Sequence, residues 1–372
     1  MDGVVRVRRR HARRTVVFCV MWVVSIAALL SGCTGEAVQS VEGPAAEGTE
    51  PPEATTLTWD PSVVLPAEPG LVGWSRAGAK DVGALVSISP DSAGFDVLWQ
   101  PPEGSGVIHT PLALDAESRK MLLEVMPDDA IGGQAVGLVM LEPDGSAREL
   151  ELPAGYEGIS SATFVDGRAL VVVNHATSET FDTLIGLYSE SGAWQPVDLA
   201  GPLPDHQFVE WAVAVPGTDS VAVLLKVPGG TGDRDDDALV LTRLDGGTLS
   251  AYTDAFMDDS LPGASTLYGD EGVLYPRTWR EVDGAPVVDL VIARWNGSAW
   301  DEVVFETPGI ASGIETGRVA AQGPDGTLWL RSEPADAGMR LASMREGAAD
   351  TVPTDVSMDS IDWFTWVDAA VQ

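Results

Sequence analysis

Three observations predict an all-β chain built from a repeated four-stranded unit. Short β-branched runs such as Ala169-Leu170-Val171-Val172-Val173, Val221-Ala222-Val223-Leu224-Leu225 and Val287-Val288-Asp289-Leu290-Val291-Ile292 alternate with Gly, Pro and Asp turns, and no long stretch has helical period. Turn glycines recur at 94, 145, 192, 246, 297 and 347, with gaps of 51, 47, 54, 51 and 50. The end of the chain, Ile361-Asp362-Trp363-Phe364-Thr365-Trp366-Val367, is strand-like and has no partner of its own.

Each turn glycine closes a hairpin. The preceding strands are Ala84 to Ile88, Leu138 to Leu141, Leu184 to Tyr188, Leu239 to Thr242, Leu290 to Ala293 and Arg340 to Met344. Asp144-Gly145, Asp245-Gly246 and Asn296-Gly297 supply the positive φ that tight hairpin turns need. Two further strands precede each hairpin, as at 161–165 and 169–173, 211–215 and 221–225, and 318–322 and 327–330. Four short strands every 50 residues or so is blade spacing in a β-propeller. The expected fold is therefore six blades of four antiparallel strands over residues 57–372. A seventh would follow if 57–76 and 355–372 built their own. The first unit lacks its innermost strand, and the final strand is expected to supply it by closing against residues 71–100. Closure removes an exposed sheet edge. A pair of β-sandwiches is the alternative fold.

The chain begins differently. Arg6, Arg8, Arg9, Arg10, Arg13 and Arg14 form a basic n-region, and Thr15 to Leu30 is apolar and uncharged. At about 1.5 Å per residue that run is short for a bilayer core of about 30 Å, so residues 1–32 read as a cleaved signal. The run ends in Leu30-Ser31-Gly32-Cys33, which resembles the bacterial lipobox. That resemblance implies diacylation of Cys33, a membrane anchor of two chains, and residence on the outer face of the cytoplasmic membrane. Arg13-Arg14-Thr15-Val16-Val17 also resembles a twin-arginine signal, so general secretory and twin-arginine export both stay open. Residues 34–56 are rich in Gly, Pro, Ala and Glu and hold no aromatic residue. They read, with Cys33, as a disordered tether.

The 372 residues carry 22 Lys and Arg against 56 Asp and Glu, a net charge of −34. Removing residues 1–32 leaves 16 basic and 55 acidic residues and takes Cys19 away. Such a charge repels nucleic acid and favours solubility, cations and basic partners. Two Cys and four His exclude a disulfide scaffold and a zinc cluster.

Catalytic motifs are missing: there is no Gly-x-Ser-x-Gly, His-Glu-x-x-His or Cys-x-x-Cys. Asp233, Asp235 and Asp237 match the first half of an EF-hand loop. Ala238 then stands where Gly is needed and Leu244 where a bidentate Glu is needed, which leaves only a looser Ca²⁺ site as the metal candidate. Asp128-Asp129 and Asp258-Asp259 are weaker acidic pairs. Trp194, Trp295, Trp300 and Trp329 are expected between blades. Trp74, Trp211, Trp279, Trp363 and Trp366 are the candidates to line one end of the channel and hold a ligand.

Pro324-Asp325-Gly326-Thr327-Leu328-Trp329-Leu330 is similar to the Asp-Gly-x-Leu-Trp hairpin of several bacterial propeller families. With the lipobox, it gives a resemblance to the broad group of propeller-bearing bacterial lipoproteins, which implies no activity. The expected function is a monomeric, membrane-anchored binding or scaffold module recognising a protein, a glycan or another envelope component. The alternative is a propeller-type hydrolase or lyase acting on glycans or lactones through channel-mouth carboxylates.

Overall fold

The computed structural model describes residues 69–367 apart from the stretches 77–82, 92–93, 101–106, 116, 128–136, 145, 157, 177–180, 205–206, 216–217, 228–235, 258–265, 269–271, 283–284, 306–319, 324–326, 333–337 and 346–351. The chain divides into Met1–Glu53 and Ala54–Gln372, and all described residues belong to the second unit. The segment expected to be a signal (1–32), Cys33 and the segment expected to be a tether (34–56) lie outside the described residues.

Those residues form twenty-six strands and six sheets. Blade 1 holds β1 (Gly70–Ser75), β2 (Ala84–Ile88) and β3 (Phe95–Trp99). Blade 2 holds β4 (Val107–Asp115), β5 (Lys120–Pro127), β6 (Gly137–Leu141) and β7 (Ala147–Leu150). Blade 3 follows as β8 (Gly158–Val165), β9 (Arg168–Ala176), β10 (Phe181–Tyr188) and β11 (Trp194–Pro196). After β12 (Asp198–Ala200), blade 4 is β13 (Phe208–Ala214), β14 (Ser220–Val227), β15 (Asp236–Asp245) and β16 (Thr248–Ala251), with a short β17 (Phe256–Met257). Blade 5 is β18 (Thr266–Tyr268), β19 (Gly272–Val282), β20 (Ala285–Trp295) and β21 (Trp300–Phe305). Blade 6 is β22 (Ala320–Gln322), β23 (Leu328–Ser332), β24 (Arg340–Met344) and β25 (Val352–Ser357), and β26 (Ile361–Val367) ends the series.

β26 closes the ring as the sequence predicts. It pairs antiparallel with β1, from Gly70 opposite Val367 to Ser75 opposite Ile361, and so takes the innermost place in blade 1. The Arg76 N–H donates to the Ser360 carbonyl at 2.7 Å just beyond that ladder. First strands of neighbouring blades touch: β4 with β8, β8 with β13, β18 with β22, and β22 with β26.

Middle strands read as unbroken apolar runs because both of their faces are covered. Side chains alternate across a strand, and here the alternation sorts them into two different interblade cores. Leu170 and Val172 of β9 join the core between blades 3 and 4, whereas Ala169, Val171 and Val173 join that between blades 2 and 3. Val221, Val223 and Leu225 of β14 face blade 3, and Ala222 and Leu224 face blade 5. Each fully buried Leu or Val contributes about 1.5–3 kcal/mol, and these cores stabilise the domain without a disulfide. Trp194, Trp295, Trp300 and Trp329 pack against the interblade cores, in the places expected of them.

The hairpin turns behave as their residues dictate. Gly192, Gly246 and Gly297 have φ of 82°, 61° and 93°. Asn296 Oδ1 accepts the N–H groups of Ser298 and Ala299, both at 3.0 Å, which makes the turn self-supporting.

Blade 4 differs from the others. β12 pairs parallel with β16 and adds a strand to its outer edge. Residues 194–200 thus leave blade 3 as β11 and finish on blade 4 as β12. Val197 between them is buried in the core those blades share.

Candidate functional site

Antiparallel order sends connections out of two ends of the blades. Tight turns such as Asp166-Gly167, Gly246-Gly247 and 296–299 leave from one end. The longest connections, 128–136, 228–235 and 306–319, leave from the other. Propeller ligands meet loops held by a rigid scaffold, so the long-connection end is the candidate site. Asp128-Asp129, Asp233, Asp235 and Asp258-Asp259 fall in its connections and lie outside the described residues.

Asp237 is described. It is 1% exposed, near the start of β15 and opposite Lys226 in register. Among the described residues, no group of three His, Cys, Asp or Glu is placed to hold a metal ion.

Four of the five tryptophans named as channel-end candidates, Trp74, Trp211, Trp363 and Trp366, are found in or against interblade cores. Trp74 is fully buried in the core between blades 1 and 2, tilted against Trp99 with ring centroids 6.0 Å apart. Its indole lies against Gly83, where any Cβ would collide with the ring. Burying the indole's apolar area between sheets outweighs display at the surface. Trp363 and Trp366 of β26 are half-buried and serve opposite faces: the first packs against the core with blade 2, the second against the core with blade 6. Trp211 is half-buried against the core between blades 4 and 5. Trp279 lies on β19 within the register shift between Arg277 and Arg280.

A polar surface instead gathers at the long-connection end of blades 3 and 4. Asn174, near the end of β9, donates from Nδ2 to Ser160 Oγ at 2.9 Å. Its amide lies over Gly158, and a Cβ there would leave it no room. Tyr156 donates its hydroxyl to Asp182 Oδ2 at 2.8 Å, and the Thr183 N–H donates to Asp182 Oδ1 at 2.9 Å. Burial, followed by that hydrogen bond and the Asp182 charge, pushes the Tyr156 phenol up from its ordinary pKa. The His175 ring stands edge-on to Tyr156, 6.2 Å between centroids. On blade 4 the Lys226 ammonium lies 3.7 Å from the Glu210 carboxylate, both partly exposed. Such a pair is worth little in stability. Hydroxyl, amide, carboxylate and phenol groups of blade 3 and an ammonium–carboxylate pair of blade 4 thus lie at the same end of their blades. The described groups here supply hydrogen-bond donors and acceptors and one pair of opposite charges. Composition gave no sign of it, since single Ser, Asn, Tyr and Lys residues in strands look like any others.

The seam beneath this surface is sealed by hydroxyls. Ser161 Oγ on β8 accepts the Ala212 N–H at 3.0 Å and donates to the Ala212 carbonyl at 3.2 Å. Thr163 Oγ1 accepts the Ala214 N–H at 3.2 Å, and Thr183 Oγ1 accepts the Val209 N–H at 3.2 Å. The free edge of β13 is satisfied by side chains of the neighbouring blade.

By its strand order and terminal closure the chain is a six-bladed β-propeller. No protein-family model matches it, and no curated protein matches it in sequence. Among solved structures it is similar to TolB from Acinetobacter baumannii, with 10% identity, a TM-score of 0.46, and 80% of this chain and 66% of that chain covered. It therefore spans just under two thirds of that protein. It is also similar to the β-propeller domain of the Trilobed protease from Pyrococcus furiosus, with 12% identity, a TM-score of 0.44, and 81% and 83% covered. At these scores the likenesses carry no function across.

Proposed function

We propose that this chain is a membrane-anchored, extracytoplasmic binding module, without catalysis, that recognises a protein or envelope component through the long-connection end of its propeller. The supporting observation is the polar surface of blades 3 and 4, where Asn174 with Ser160, Tyr156 with Asp182 and Lys226 with Glu210 present mutually matched groups at one end. Anchoring is proposed from Leu30-Ser31-Gly32-Cys33 after its arginine-rich and apolar leader. Cys33 would carry the lipid, and residues 34–56 would hold the propeller off the bilayer.

Fractionation of cells producing the full chain and Cys33→Ala tests the anchor. The variant should be released or mislocalised, and processing of the full chain should be blocked by globomycin. Unchanged membrane retention would overturn the lipoprotein assignment. In-cell crosslinking followed by mass spectrometry tests the binding role. A stoichiometric partner supports it, and a partnerless protein that turns over a glycan or lactone refutes it.

A further inference from the structure

Blades 2 and 3 separate their charges by end. Between Val107 and Pro196 the Lys and Arg residues are Arg119 and Lys120 at the β4–β5 turn, Arg148 near the start of β7 and Arg168 at the start of β9. All of them stand at the tight-turn end. Two are engaged there: Lys120 and Arg148 share the Glu142 carboxylate, and they donate to the carbonyls of Gly167 and Glu190. The long-connection end of the same blades has no Lys or Arg, either in its strands or in the sequence of its connections. The next basic residue along the chain is Lys226 of blade 4. Described carboxylic acids of that end are Glu124, Glu151 and Asp182, and the sequence of its connections adds Asp128, Asp129 and Glu179.

Glu151 and Asp182 are exposed. The Tyr156 hydroxyl at 2.8 Å and the Thr183 N–H at 2.9 Å orient the Asp182 carboxylate and leave its charge in place. Among the described residues, no Lys or Arg is paired with it. His175 lies opposite Asp182 in the β9–β10 ladder, and its ring meets that of Tyr156 edge-on. Half-buried aromatic surface thus adjoins an exposed carboxylate, a combination that favours an organic cation over a neutral or negative group.

We infer that the long-connection end of blades 2 and 3 is the surface on which a partner protein docks, and that the docking segment is rich in Lys or Arg. The inference rests on the binding-module function proposed above and specifies its partner. Charge complementarity selects the occupant. An end that carries carboxylates and no basic side chain repels acidic segments and draws in cationic ones. A second copy of this chain, at a net charge of −34, is disfavoured on the same ground. An ammonium or guanidinium group set down at Asp182 meets the carboxylate and the Tyr156 ring together.

The test uses the purified full chain and two labelled peptides of equal length, one lysine-rich and one glutamate-rich, followed by fluorescence anisotropy at low ionic strength, where charge effects reach furthest. The lysine-rich peptide should bind saturably and the glutamate-rich one should not. A carbodiimide, which joins an ammonium to a carboxylate in contact with it, should couple the bound peptide to Asp182 and Glu151, read by mass spectrometry. The double variant Asp182→Asn, Glu151→Gln should weaken binding by about fivefold. Glu117→Gln with Glu190→Gln removes the same charge from the tight-turn end and should leave binding unchanged. Coupling spread evenly over both ends, equal loss in the two double variants, or no saturable binding would overturn the cationic surface. In cells, photo-crosslinking residues in place of Ala154 at this end and Ser191 at the other separate the inference from the function it rests on. Capture at 154 of a basic segment supports both. Capture at 154 of an acidic or uncharged segment overturns the charge selection and leaves the binding module standing. Capture at 191 alone, or at neither position, overturns the surface. The binding module falls with it only if in-cell chemical crosslinking also returns no partner.

Discussion

Ser161 and Ala212, on the first strands of neighbouring blades, exchange two hydrogen bonds through one hydroxyl: Oγ accepts the Ala212 N–H at 3.0 Å and donates to its carbonyl at 3.2 Å. A side chain here does the work of a strand. It covers a sheet edge that faces another blade, where regular pairing cannot reach. Ser161→Ala would leave both backbone groups of Ala212 without that partner. An unmade bond of this kind costs about 1–3 kcal/mol, so the urea midpoint should fall with an unchanged slope. A midpoint equal to that of the parent would show that water replaces the hydroxyl at no cost.

Gly83 is a second point of dependence. A Cβ at this position collides with the Trp74 indole, which is fully buried. Gly83→Ala should destabilise by about 1–3 kcal/mol through overpacking, with a shift in tryptophan emission as the ring is displaced. A variant that melts and fluoresces like the parent would show that the 83 backbone moves aside freely.

Deleting residues 361–372 removes β26 and uncovers the inner edge of β1 along its whole ladder. It also strips Ile361 and Phe364 from the core with blade 6 and Val367 from the core with blade 2. The truncated chain should lose its single cooperative melt, read by calorimetry, and bind a dye for exposed apolar surface. A melt matching that of the full chain would mean that β26 is dispensable.

Two turn carboxylates link stability to acid. The Met339 N–H, at 2.9 Å, and then the Ser357 hydroxyl hold Asp359 below the ordinary value of 3.8, and the Ser146 hydroxyl and N–H do the same for Asp144. A group whose pKa is lower folded than unfolded stabilises above its unfolded value, and that stability is lost as pH falls through the folded one. The Tm advantage of the parent over Asp359→Asn should therefore hold at pH 5–7 and shrink below about pH 4. An advantage that stays constant down to pH 3 would exclude the carboxylate as its source.

Much of this architecture is legible in the residues. Asn296-Gly297 and Asp245-Gly246 announce their turns because few other pairs tolerate the backbone they need, and they mark the third-to-fourth-strand hairpin of a blade. The closing strand is legible because 361–367 is apolar and aromatic with nothing beside it to pair. β12 and β17 are not, since two or three residues hold no period and the parallel partner of Asp198–Ala200 lies some 50 residues away. The one-residue bulges on β26, β4, β8 and β13, at 362, 112, 160 and 210, escape for a similar reason: one additional residue leaves composition unchanged, and only strand register shows it. Register also decides the tryptophans. Trp363 and Trp366 read alike in sequence, yet their spacing on a strand sends them into different cores.

The pairing of β1 with β26 has a kinetic side. It joins segments separated by roughly 300 residues, a loop whose closure costs about 5 kcal/mol in chain entropy from its length alone. Contacts this distant form late and slow the whole reaction. Until the final strand arrives, blade 1 lacks its innermost strand and the circle stays open. The domain therefore cannot lock shut until residues 361–367 are free to pair with β1.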